Sequence, residues 1–166
     1  MILPPLSLVT TPLTAEAFAP FGLVLEAPAD PGRAAADAGL DHKPGLAPML
    51  MVSRLAPSAT PVVATRIERH AHSSQVFVPL DVSRWLVVGV PSLPDGAPDL
   101  ARAQAFIARA GQVVLYRRLA WHHPGTVFDR PASFAVAMWG DGSDADTDWF
   151  TLPTQITIAI PEEIRA

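Results

Sequence analysis

From residue 49 onward the chain is a succession of short runs rich in Val, Ile and aromatic residues. They read "MLMVSRL", "PVVATRIERH", "QVFVPL", "RWLVVGV", "AQAFIAR", "QVVLYRR", "SFAVAMWG" and "QITIAI", and Pro, Gly, Asp or Ser separates them. Runs of this length at this spacing build antiparallel sandwiches or barrels. The eighteen prolines among 166 residues point the same way. Each removes a backbone donor and would break a helix interior, whereas strand ends and turns accept it. The pattern predicts an all-β protein, and a chain of this length most simply makes one domain, residues 1–166.

Ahead of residue 49 the reading changes. "TAEAFAPFG" predicts a short helix with Thr14 at its N-cap, Ala17 and Phe18 on its apolar face, and Pro20 and Gly22 ending it. "LVLE" follows as a strand. "APADPGRAAADAGLDHKPG" reads as a surface excursion whose few hydrophobic residues cannot anchor it strongly. "PSLPDGAPDLAR" reads as a loop in which Asp99 caps a single turn.

Charge and composition narrow the function. The net charge of −4, with no run of Lys or Arg, disfavours a nucleic-acid partner. Absence of cysteine removes disulfides, thiolate chemistry and Cys-based zinc sites, and is compatible with a reducing compartment. The start "MILPPLSLVTTPLT" lacks a basic region and is broken by Pro4, Pro5 and Pro12, so it does not read as a signal peptide. No stretch reaches membrane-spanning length without a proline or charge, and the expected location is the cytoplasm.

Two segments carry chemistry. In "RHAHSSQVFVPL", His70 and His72 stand two apart, which on a strand puts both rings on one face. In "GQVVLYRRLAWHHPG", His122 follows Gly111 by eleven residues, and His123 and Pro124 come next. These resemble the two motifs of small cupin barrels, with Gln75 in the place of the first motif's acid and Arg117 and Leu119 where the second usually has Pro and Gly. Imidazoles from His70, His72 and His122 with an oxygen from Gln75 suit a borderline divalent ion such as Ni, Zn, Mn or Fe. The amide oxygen of Gln75 binds a cation less tightly than a carboxylate would.

The resemblance extends beyond these motifs. "LTAEAFAPFG", "LVLEAP", "ERHAHSSQVFVPL", "WLVVGVPSLPDGAPDLARAQAFIA", "GQVVLYRRLAWHHP" and "GDGSDADTD" together cover most of residues 13 to 150. In their order and spacing they resemble the ureidoglycolate lyase family, also called ureidoglycolate hydrolases. The resemblance implies a cupin-like double-stranded β-helix, a jelly-roll barrel with a short N-terminal helix. It implies a homodimeric carbon–nitrogen lyase that splits ureidoglycolate into glyoxylate and urea in allantoin and purine nitrogen catabolism. Two departures bear on the substrate. Leu115 and Arg117 replace the family's Asn and His before the WHHP segment, and Met138, Trp139, Gly140 and Asp141 replace its Asp-Arg-Gly-Gly. The alternatives are a relative acting on another small ureido, 2-hydroxy or 2-oxo acid, and a non-catalytic binder of a small carboxylate.

The roles expected under that resemblance are specific. His70, His72, Gln75 and His122 form the electrophilic, metal-holding end; His70 and His122, with His123 or Tyr116 as proton carrier, form the catalytic set. Arg117 is a fork for the substrate carboxylate, Gln75 also contacts substrate, and Trp121 is core or pocket wall. Tyr116 and Arg117 are neighbours on one strand, so both cannot point inward. Glu68 and Arg69 read as an exposed pair, and the acidic "DGSDADTD" as a loop available to a subunit interface.

Overall fold

The computed structural model describes residues 6–36 and 39–164. In chain order the elements are β1 (Leu6–Val9), β2 (Thr11–Pro12), α1 (Ala15–Phe18), β3 (Gly22–Glu26), β4 (Ala47–Leu55), β5 (Val62–His70), β6 (Gln75–Pro79) and β7 (Arg84–Val90). They continue as β8 (Gln104–Arg109), β9 (Gln112–Tyr116), β10 (Trp121–His122), β11 (Thr126–Val127), β12 (Ala132–Gly140) and β13 (Thr147–Ala159). One sheet runs β1-β13-β5-β10-β7-β8-β2, with β11 also on β7, and the other runs β3-β9-β6-β12-β4. Apart from the parallel pairs β1–β13 and β2–β8, the ladders are antiparallel. This is the cupin-like jelly roll that the strand spacing and the resemblance led us to expect.

The short helix forms as expected, and for the expected reason. Thr14 Oγ1 accepts the Ala17 N–H at 3.2 Å, and Phe18 is delivered into the core. The interior between the sheets is filled by Phe18, Phe21, Phe77, Trp85, Phe106, Tyr116 and Phe134. A second apolar cluster, including Ile67, Val88, Ile107, Trp121, Ile156 and Ile158, packs separately. Phe77, Trp85 and Phe134 meet edge-on or tilted, with centroids 4.9 to 5.8 Å apart, the geometry that ring quadrupoles favour.

Three local expectations change. "QITIA" is the end of the much longer β13, with Ile160 just beyond it, and the pairing of β13 with β5 shifts register between Thr151 and Ile156. The excursion after β3 is anchored, but by polar groups. The Lys43 N–H donates to the His72 carbonyl, Ser74 Oγ accepts the Asp41 N–H, and His42 bridges Ser73. Residues 37 and 38 of that excursion, and 1–5 of the proline-broken start, lie outside the described residues. Asp99 precedes a 3-10 turn at Leu100–Arg102, but its side chain makes no cap bond.

Candidate active site

Where the two sheets approach at one end of the barrel, polar side chains converge in an otherwise apolar interior. Glu68 and His70 lie two apart on β5 and so face the same side. On the adjacent strand β10, His122 sits directly opposite Glu68 in the ladder. The ligand atoms of Glu68, His70 and His122 all lie within 4.8 Å of one another, and the side chains of all three are largely removed from solvent. From the facing sheet β6 contributes Gln75, whose Oε1 is 3.2 Å from His122 Nε2, and β9 contributes Tyr116, whose ring stacks on His122 at 4.1 Å.

The hydrogen bonds orient His122. Its Nδ1 lies 2.9 Å from the Ala120 carbonyl, which only a donated N–H satisfies. In the neutral ring Nε2 then carries a lone pair, facing Gln75 Oε1 and, at 3.5 Å, Glu68 Oε1. Acceptors that face one another this way are stabilised by a shared cation, either a proton or a metal ion.

Burial sets the charge states around it. It pushes the His70 imidazole below the ordinary histidine range, and the neighbouring His122 adds to this. For Glu68, burial works to raise the carboxyl, but the hydrogen bond that His122 Nε2 donates when its ring is protonated, with the charge of the surrounding imidazoles, outweighs it and holds the group below its usual value. Glu68 is therefore favoured in its ionised form when a cation, a proton on His122 or a bound ion, stands beside it. His70 Nε2 is buried without a hydrogen-bond partner. Two imidazoles, a carboxylate and an amide oxygen match the donor set of a borderline divalent ion, and the orphaned Nε2 is a place for such an ion to bind.

Beside these groups lies a cavity of about 220 Å³, reached by Glu68 and Gln75 and walled by Met51, Leu55, Phe77, Phe134 and Val136. Its volume falls below the range of about 300–1,000 Å³ for drug-sized pockets, which fits a substrate of few heavy atoms. No Lys or Arg is among its lining residues.

The sequence-derived candidates divide accordingly. His70, Gln75 and His122 come together, and Tyr116 supports them through its ring. The Tyr116 hydroxyl donates to the Val88 carbonyl at 3.4 Å, and burial raises its pKa far above the usual phenol range, so it keeps its proton. His123 is half-buried next to the group; its Nδ1 lies 2.9 Å from the Pro124 carbonyl, and burial lowers its pKa. His72 stands apart, because β5 ends at His70 and the chain turns before His72. Trp121 points away from His122, as its neighbour on β10 must. Its indole donates to the Gly96 carbonyl at 3.0 Å, and the Arg69 guanidinium lies 4.4 Å over its ring. Arg117 is exposed and lines a different groove with Phe21, Pro91 and Leu119.

Glu68 is the residue that reading by type missed. It pairs with His122 rather than standing exposed beside Arg69, which binds Asp148 at 2.9 Å and the Gly96 carbonyl at 2.7 Å. Strand parity was the available signal, since Glu-x-His within one strand presents both side chains to one face. The substituted family positions can also be located. Leu115 is buried against the excursion near Gly39, with Leu23, Leu25, Val76 and Val113 around it, and it does not line the cavity. Met138 does touch the site, its sulfur 3.9 Å from Gln75 Nε2.

The family model for ureidoglycolate lyase matches residues 5–159. The chain belongs to the ureidoglycolate lyase family. Among curated relatives, a protein of Agrobacterium fabrum strain C58, provisionally named a ureidoglycolate lyase, is 37% identical over 153 residues, covering 91% of this chain and 94% of the relative. The ureidoglycolate lyase of Burkholderia cepacia is 39% identical over 138 residues, covering 75% of each chain. That of Salmonella paratyphi B is 32% identical over 106 residues, covering 64% of each. Among the described residues no helix is long and apolar enough to cross a membrane.

Proposed function

We propose that this chain is a ureidoglycolate lyase whose working centre is Glu68, His70, Gln75 and His122, at the polar end of the cavity. The observation carrying this reading is the convergence of those four groups, two of which, Glu68 and Gln75, open onto one small cavity with His70 and His122 packed behind them, in a chain matched by the family from residue 5 to residue 159. The substitution at Leu115 does not weaken it, because that side chain lies outside the cavity.

Ureidoglycolate is a carbinolamide. Its cleavage removes the hydroxyl proton, forms the aldehyde carbonyl, breaks the carbon–nitrogen bond and returns a proton to the departing urea nitrogen. A substrate carboxylate entering beside ionised Glu68 requires positive charge between them, and no Lys or Arg lines the cavity. A divalent ion held by Glu68, His70, His122 and the Gln75 oxygen would supply that charge as a Lewis acid. His122 is fixed by Ala120 on one side and by the Tyr116 ring on its face, so its Nε2 is pre-aimed. His123 is the proton carrier: its Nδ1 donates to Pro124, leaving Nε2 as the basic nitrogen, and burial keeps the ring neutral. Met51, Phe77, Phe134 and Val136 exclude water, which strengthens each of these interactions. Incubation with ureidoglycolate, with urea and glyoxylate measured together, tests the reading. Equal amounts of both products are expected; absence of turnover at every metal loading would instead favour a carboxylate-binding protein.

The reading includes one cupin-like domain, a cytoplasmic place in purine nitrogen catabolism, and a homodimer. The outer face of the five-stranded sheet supports the dimer. One cross-strand row reads Leu23, Leu115, Val76, Ala137 and Leu50, and the next contains Leu25, Val113, Val78, Ala135 and Val52; the excursion packs on the Leu115 end, and the open end is at Leu50 and Val52. An antiparallel sheet with one face in water normally carries polar residues there, yet Leu50 and Val52 are 77% and 71% exposed. Two strands of nine residues and three of five, at ~3.4 Å by ~4.8 Å per residue, span roughly 540 Å², so a dimer of ~800 Å² per partner would extend beyond this face. Leu50→Asp with Val52→Asp is expected to convert a dimer into a monomer in sedimentation velocity at about 10 μM. Wild-type protein sedimenting as a monomer would remove the dimer from the account.

A further inference from the structure

The acidic tract from Asp141 to Asp148 contains four carboxylates, and three are accounted for at the surface. Asp141 accepts from Ser143 within its own loop, Asp148 pairs with Arg69, and Asp144 lies on the exposed part of the loop, where its carbonyl takes the Thr147 N–H. Asp146 alone turns inward and is 7% exposed. Its Oδ1 accepts the backbone N–H of His72, and its main-chain carbonyl accepts that of Ala71 at 3.1 Å, so it fastens the turn immediately after β5. Its Oδ2 is buried without a hydrogen bond and lies 3.7 Å from His70 Nδ1. The other group near that nitrogen is Thr147 Oγ1, at 3.4 Å.

We propose that Asp146 is the positioning residue of the site, holding the proton of His70 on Nδ1 so that the Nε2 lone pair is presented to Glu68 and His122. An ionised carboxylate only accepts, so the nitrogen beside it is favoured as the N–H, and the neutral ring has one proton to place. A carboxylate behind a ligating histidine fixes both tautomer and ring orientation in this way. Asp146 Oδ2, 3.7 Å from Nδ1 and without a hydrogen bond, acts on the Nδ1 hydrogen through its charge, whereas a hydrogen on Nε2 would be buried without an acceptor. With Asp146 removed, the ring is free to adopt the Nε2–H form, which aims a donor into a centre built to hold a cation.

The catalytic consequence rests on the lyase reading; the tautomer does not. In uniformly ¹⁵N-labelled, metal-free protein at alkaline pH, long-range ¹H–¹⁵N correlation reports which His70 nitrogen carries hydrogen. Wild type is expected to show a protonated Nδ1 and a bare Nε2. Asp146→Asn, whose amide can turn a donor toward Nδ1, is expected to invert that pattern and lower kcat for urea release about 10–100-fold, the usual cost of losing such a partner. Thr147→Val, which keeps the carboxylate, should leave the tautomer as in wild type and serves as the readout if Asp146→Asn does not fold. A wild-type ring protonated on Nε2, an unchanged tautomer in Asp146→Asn, or inversion by Thr147→Val would each overturn the proposal. A correct tautomer pattern in a protein that releases no urea would keep the positioning role and reject the lyase.

Discussion

Glu68→Gln is expected to lower kcat/KM for ureidoglycolate by about 100-fold or more while leaving the fold intact. The substitution keeps the size and shape of the side chain, so the cavity walls and the ladder between β5 and β10 have no reason to move. What it removes is the negative charge that His122 faces at 3.5 Å. If Glu68 were only the buried half of a structural ion pair, the change would appear in stability, since separating such a pair strands its partner. The account places its effect in function instead: the thermal midpoint should shift by little, while divalent-metal affinity and kcat fall together. Paired thermal unfolding and steady-state kinetics check both halves. Unchanged kinetics would remove Glu68 from the working centre and return it to a structural role.

The largest expected effect on stability comes from a residue with no side chain. A Cβ built on Gly22 would lie 1.8 Å from the Leu115 carbonyl oxygen and 2.9 Å from the Phe18 ring. The first of these atoms is backbone, so rotating a side chain gives no relief. Strand β3 would have to leave β9, and Gly22 is the residue paired with Tyr116, the platform under His122. Gly22→Ala is therefore expected to cost about 3 kcal/mol, the upper end for overpacking, and to lower the unfolding midpoint by roughly 6–12 °C. Its effect reaches the site as well, because displacing Tyr116 releases the face of His122. Differential scanning calorimetry measures the first effect. A midpoint within a degree or two of wild type would show that β3 and β9 do not approach as closely as described.

Most of the fold was legible because its signals are local. Runs of β-branched residues closed by Pro or Gly specify strands and turns wherever they occur, and Thr14 capped its helix for a reason visible within four residues. The site was legible where its residues are chemically conspicuous, as at His70, Gln75 and His122. It was hidden where the role depends on direction. Whether His72 shares a face with His70 depends on where β5 stops, and it stops at His70. Moving the pattern back by two replaces His72 with Glu68, a residue whose type alone suggests the surface. Arg117 and Trp121 are aimed elsewhere by strand parity, since Tyr116 and His122 already take the inward positions beside them. For Asp146 no local cue exists, because four similar carboxylates share one short tract and only the return of β13 alongside β5 selects which meets His70.

The central claim is that chemistry occurs where Glu68, His70, Gln75 and His122 meet. It is tested most directly by a crystal structure of the protein soaked with glyoxylate, the aldehyde product. Density for the two-carbon acid in the cavity beside Glu68 and Gln75, within contact of the His122 edge, is the result the account predicts. Glyoxylate bound instead in the groove under Arg117, with the Glu68 cavity left empty, would contradict it.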